Sequence, residues 1–185
     1  SAIIIKGSNY VLIDTSPDIK TQLLSNGIKK ISSVIFTHEH ADQTNGLFEL
    51  RPFFWTSKKK INVYGNRNTI KHLKKSHSYL FKKTVNYPAI VNSNLIKPKF
   101  SLGTANEKIS FNALSVKHGN INSIAYVFEK TAYISDSNDL SIVRFNELKK
   151  LNYLILDCLK FKKHPSHFNL DDALYVHNEL KPKKT

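Results

Sequence analysis

Val34-Ile35-Phe36-Thr37-His38-Glu39-His40-Ala41-Asp42 is the stretch on which the fold turns. Its apolar start reads as a short buried strand. Three metal-capable side chains, His38, His40 and Asp42, then follow at alternate positions. Alternate residues of extended backbone point the same way, so the spacing aims two imidazoles and a carboxylate at one point as the chain leaves the strand. That donor set suits zinc, manganese or iron. Read alone, the pentapeptide is equally a polar loop that holds two histidines.

Two more candidates stand in the same setting. His118 follows the alternating run Phe111 to Val116, and Asp136 follows Ala132-Tyr133-Ile134. In layered α/β folds, sites gather at strand ends, where loops leave a rigid sheet. Singly, His118 reads as a surface histidine and Asp136 as a turn or cap residue. Three strand ends bearing ligand types in one short chain point instead to a site.

These residues carry a resemblance. Thr37-His38-Glu39-His40-Ala41-Asp42 resembles the His-x-His-x-Asp-His signature of metallo-β-lactamase-fold hydrolases, and Val11 to Asp18 resembles the strand and turn before it. Gly46 to Arg51, Tyr133-Ile134-Ser135-Asp136 and His164-Pro165-Ser166-His167-Phe168 are similar to one branch, the phosphoribosyl cyclic phosphate phosphodiesterases of phosphonate metabolism. The resemblance implies an α/β (α+β) fold, a four-layer αββα sandwich. It implies that His38, His40 and His118 hold a first metal, that Asp42 holds a second, and that Asp136 bridges both. Asp42 and His167 would be catalytic, with His167 a general acid near the leaving group.

Two departures stand out. The histidine expected after Asp42 is Gln43, and an amide is a poorer transition-metal ligand than imidazole. A further histidine is expected past a Lys-Pro-Lys-Lys-like stretch, but the sequence stops at Lys183-Lys184-Thr185. The expected cofactor is therefore zinc or manganese, one or two ions, with the second position weakened. The chain also lacks Met and opens on a strand, so it reads as a single domain spanning 1–185 and truncated at both termini.

Composition bounds the rest. A hydrophobic content of 41% is that of a globular protein, and no run approaches the ~20 apolar residues of a membrane span. A single cysteine excludes an internal disulfide and a Cys-based zinc cluster. Cys158, after the apolar run Tyr153 to Leu156, reads as a core thiol. Nothing demands an oxidising compartment, so the cytoplasm is the default. The net charge of +14 attracts anions, but the lysine, asparagine and isoleucine usage matches an AT-rich coding bias.

The pattern predicts strands at 2–6, 10–13, 34–37, 61–64, 110–116, 123–128, 131–134 and 153–157. It predicts helices from Ser16 to Leu24, with Pro17 at the first helical position, and over 68–80, 140–148 and 170–180. Residues 44–50 read as a helical turn and 86–99 as a loop or strand pair. His72 and His77, five apart, do not share a helical face and read as solvated. Lys58-Lys59-Lys60 reads as a solvated loop before a phosphate clamp. Asp14 and Asp157 are each open to a turn or hydrogen-bonding role, or to orienting a metal ligand.

The expected function is metal-dependent hydrolysis of a phosphodiester of cyclic-phosphate type by a metal-activated water. The alternatives are a ribonuclease-like tRNA-processing hydrolase on the same fold and a degenerate, non-catalytic metal-binding module. The expected partner is a small anionic phosphoester. Nucleic acid is allowed by the charge but not favoured, no membrane partner is expected, and a homodimer is open.

Overall fold

The computed structural model describes residues 1–185. They divide into two compact units, Ser1–Ile96 with Leu102–Lys108, and Lys97–Ser101 with Ile109–Thr185. A five-stranded sheet and an apolar core organise each.

In the first unit, β1 (Ala2–Lys6) and β2 (Asn9–Ile13) form an antiparallel hairpin. Lys6 faces Asn9, so the turn is Gly7-Ser8, and Gly7 takes the left-handed φ of 57° that a two-residue hairpin turn asks for. β3 (Ser33–Ile35), β4 (Ile61–Gly65) and β5 (Val91–Leu95) follow in the order β1-β2-β3-β4-β5, with β2 to β5 mutually parallel. Val11 to Ile13 and Val34 to Phe36 are buried without alternation, as parallel strands covered on both faces must be. Parallel strands share a C-terminal end, so the residues that follow β2 and β3 emerge side by side.

The helices of this unit are α1 (Ile19–Ser25), α2 (Ala41–Thr44), α3 (Arg51–Ser57), α4 (Arg67–Ser76) and α5 (Ser78–Phe81). α1 starts later than expected, and neither Ser16 nor Pro17 acts as its cap or first residue. Thr15 is tied by its N–H to the Gln43 carbonyl and by its own carbonyl to the Gly46 N–H, at 2.7 and 2.9 Å, which keeps this stretch out of the helix. Gly46 packs so closely here that a Cβ would stand 2.1 Å from the Ser16 carbonyl oxygen. α3 was not foreseen; Pro52 fits its first turn, where a missing N–H loses no bond. The expected 68–80 helix is broken at His77, which is 8% exposed, not solvated. Burial, and then the charge of His72, lower its pKa below the usual 6.5.

The second unit has β6 (Lys99–Leu102), β7 (Ile109–His118), β8 (Ile121–Phe128), β9 (Thr131–Ile134) and β10 (Tyr153–Leu156), in the order β10-β9-β8-β7-β6. β8 is antiparallel to both β7 and β9, and β10 is parallel to β9. β7, β9 and β10 therefore all end at one edge of the sheet. The helix expected over 140–148 is instead two 3₁₀ turns, Leu140–Arg144 and Asn146–Leu148, divided by an extended Phe145 (ψ 125°). That break lets Ile142 and Leu148 both reach the core. Only Leu154 of β10 is fully buried, because the strand lies at the sheet edge, and Cys158 beyond it is exposed and not a core thiol. α6 (Leu170–Leu180) closes the unit behind a capping box of Asn169 and Asp172.

Candidate metal-binding residues at the strand ends

Asp14, directly after β2, acts on the first histidine through Thr37. Its backbone takes φ 58°, and its carboxylate accepts the Thr37 N–H at 2.8 Å and the Thr37 hydroxyl at 2.9 Å. That hydroxyl has spent its proton on Asp14, so it can only accept from His38 Nδ1, 3.0 Å away. The chain Asp14–Thr37–His38 thus fixes the tautomer of a fully buried imidazole, with Nδ1 protonated and Nε2 as the lone-pair nitrogen.

His38 Nε2 lies 3.0 Å from His40 Nδ1. Both nitrogens can reach one zinc at the usual ~2.0–2.1 Å. The spacing rule holds for these two residues and stops there. His40 is the last extended residue (ψ 154°), and α2 begins at Ala41, so Asp42 is helical. Asp42 is exposed, and its carboxylate accepts the Gln43 side-chain amide at 2.8 Å. Glu39 turns away and accepts from the Thr69 hydroxyl at 3.3 Å.

The second unit gathers its own set. His118 ends β7, Asp136 leaves β9 and Asp157 leaves β10, all at the shared edge. One ligand atom each from His118, Asp136 and His167 lies within 4.8 Å of the others. Two ligands of one zinc span at most about 4.2 Å, so the three are near coordination distance. His118 is buried, and its Nδ1 donates to the Ser166 carbonyl at 2.7 Å, again leaving Nε2 as the lone-pair atom. His167 Nδ1 donates to Asp157 at 2.8 Å and lies 3.8 Å from Asp136. Burial raises the Asp157 carboxyl above its usual range, and hydrogen bonds from the Ser137 N–H and His167 oppose the shift.

The loop that brings His167 here is anchored on both sides. Phe168 is fully buried, and its carbonyl accepts the Leu159 N–H at 3.0 Å. Pro165 gives its carbonyl to the Asn138 amide at 2.8 Å. Thr37 and the Ser166 carbonyl were missed by the sequence reading. A hydroxyl beside a candidate metal-binding histidine is a usable signal for the first; a backbone carbonyl leaves none. Asp157 orients a histidine directly and Asp14 does so through Thr37.

A family model described as the beta-lactamase superfamily domain matches residues 9–185. The chain belongs to the beta-lactamase superfamily. It is similar to a solved diphosphatase of the PhnP family, at 30% identity, covering 98% of this chain and 68% of that one with a TM-score of 0.83. Human tRNase Z, short form, shares the fold at 18% identity and a TM-score of 0.67, covering 98% of this chain and 82% of that one. A curated relative, the octanoyltransferase of Porphyromonas gingivalis, is 29% identical over 173 residues. That match takes in 93% of this chain but spans only 35% of the relative. The architecture is thus the metallo-β-lactamase α/β sandwich, and its strand-end donor atoms fit a divalent metal. No helix is long and apolar enough to cross a membrane.

Proposed function

We propose that this beta-lactamase superfamily member hydrolyses a small anionic phosphodiester of cyclic-phosphate type. The observation that carries the reading is the second unit's strand-end cluster. It sets His118, whose Nδ1 is held by the Ser166 carbonyl so that Nε2 carries the lone pair, beside Asp136 and the Asp157-held His167. The PhnP-family likeness supports chemistry at phosphorus.

His38, His40 and His118 are the proposed ligands of a first ion, zinc or manganese. Asp42 would hold a second, and Asp136 would serve both. The Gln43 amide on Asp42 argues for a weak second position. A divalent cation bound there supplies a nucleophile at neutral pH and neutralises charge on the phosphoryl oxygens. Protonated His167, steadied by the Asp157 carboxylate on Nδ1, donates its Nε2 proton to the leaving oxygen and so avoids expelling an alkoxide.

The test is a substrate panel on full-length protein loaded with zinc or manganese: a 2′,3′-cyclic nucleotide, a nitrophenyl phosphodiester and a diphosphate ester. Turnover of the cyclic phosphate above the others supports the reading. Cleavage of the diphosphate alone would transfer the diphosphatase chemistry instead. Tight metal binding with no turnover of any substrate would leave a non-catalytic module.

A further inference from the structure

The positive charge is not spread along the chain. Between Glu49 and Glu107 there is no carboxylate, yet this segment holds twelve of the 28 Lys and Arg residues. The rest is near balance, with 16 bases against 14 acids. A coding bias toward lysine raises charge everywhere; it does not empty one segment of acids.

Ten of the twelve fall between Arg51 and Lys83, on α3, α4, α5 and their loops in the first unit. On α4, the helical repeat puts Arg67, Lys71, Lys74 and Lys75 on one exposed face, opposite the buried Thr69, Ile70 and Leu73. None of them makes an ion pair. Arg67 also stands in the first turn, where the helix dipole disfavours a cation. Lys74 and Lys75 lie in the last turn, where the dipole favours a cation, but the like-charged pairs Arg67–Lys71 and Lys71–Lys75 at i, i+4 repel, so the stripe as a whole gains the helix little.

Exposed aromatic rings accompany the cations. Trp55, 45% exposed, lies one turn beyond Arg51, with Lys58 Nζ 5.2 Å from its ring. Tyr79 of α5, 40% exposed, packs on Phe48 at 6.1 Å, and Phe48 lies 3.9 Å beneath the Arg51 guanidinium. These contacts tie the start of α3 to α5 as one surface.

We propose that this α3–α5 face binds single-stranded nucleic acid, with the lysines following the phosphates and Trp55 and Tyr79 stacking on bases. A membrane surface fits less well. Ile70 and Leu73 are already committed to the core, so α4 has no apolar face left to insert. The proposal stands independently of the hydrolytic reading.

Trp55 is the sole tryptophan, so its fluorescence reports binding directly. The full chain is titrated with a 12-nucleotide oligo-uridine at several salt concentrations between 50 and 200 mM. Quenching is expected, with log affinity falling against log salt at about −0.7 per phosphate neutralised. The triple variant Lys71→Gln, Lys74→Gln, Lys75→Gln keeps helix propensity; it should bind at least tenfold more weakly and flatten the slope by about 2. Tyr79→Ala should cost roughly tenfold. The control triple Lys130→Gln, Lys149→Gln, Lys150→Gln, in the second unit, should change affinity by less than threefold. Equal losses from both triples would reduce the effect to net charge and overturn the proposal. So would binding to phosphatidylserine vesicles without binding to the oligonucleotide.

Discussion

Thr37→Val tests how the first histidine is aimed. Valine keeps the shape of the side chain but deletes the hydroxyl that donates to Asp14 at 2.9 Å and accepts from His38 at 3.0 Å. A hydrogen bond to a carboxylate is worth roughly 1.5–3 kcal/mol, and an unmet buried N–H costs about 1–3 kcal/mol. Asp14 keeps the Thr37 backbone N–H at 2.8 Å, so part of its satisfaction survives. The expected destabilisation of metal-free protein is therefore about 2–4 kcal/mol, read by urea unfolding. The second effect is specific to the site: with its Nδ1 partner gone, the ring is free to change tautomer. Zinc affinity, measured by chelator competition, should then fall about 10–100-fold. Thr37→Ser, which restores the hydroxyl, should lie close to wild type in both measurements. A destabilised valine variant whose zinc affinity stays within twofold of wild type would refute the reasoning and remove His38 Nε2 from the ligand set.

Three other outcomes are expected. His167→Ala should lower kcat by roughly 10²–10⁴ on a substrate with a poor leaving group and far less on a nitrophenyl ester, with metal content unchanged by elemental analysis; loss of metal instead would make His167 a ligand. His77, whose folded pKa is depressed, favours the neutral form, so its stabilising effect is present above about 6.5 and is lost as pH falls through the folded value. His77→Gln should therefore lose less stability than wild type between pH 7 and pH 5, and parallel unfolding curves at the two pH values would contradict this. Asn169→Ala breaks the capping box of α6 and should cost about 1–2 kcal/mol in urea unfolding, while Asn169→Asp should retain most of the cap.

Local patterns were legible where one segment dictates its own structure. Val34-Ile35-Phe36 announced a buried strand, the pattern over 170–180 announced α6, and the strand-end placement of His38, His118 and Asp136 followed from apolar runs alone. Reading failed where distant backbone took over. Ser16-Pro17 has helix-start chemistry, but the Gln43 and Gly46 backbones hold Thr15 and delay α1 to Ile19. Asp42 is spaced to share a face with His40, but α2 begins between them. Cys158 sits in an apolar context, yet the edge position of β10 leaves it exposed.

The sequence by itself determined which residue types meet the needs of a metal site and that strands would deliver them, because strand periodicity and ligand chemistry are properties of short segments. Only the tertiary structure decided how the histidines are used. The nitrogen each one offers depends on a partner far along the chain or outside its own side chain: Asp14 through Thr37 for His38, the Ser166 carbonyl for His118, and Asp157 for His167. Those partners meet because β2 and β3 run parallel in one sheet and β7, β9 and β10 share an end in the other. Strand direction across a sheet is set by the packing of the whole unit, and no local run of residues records it.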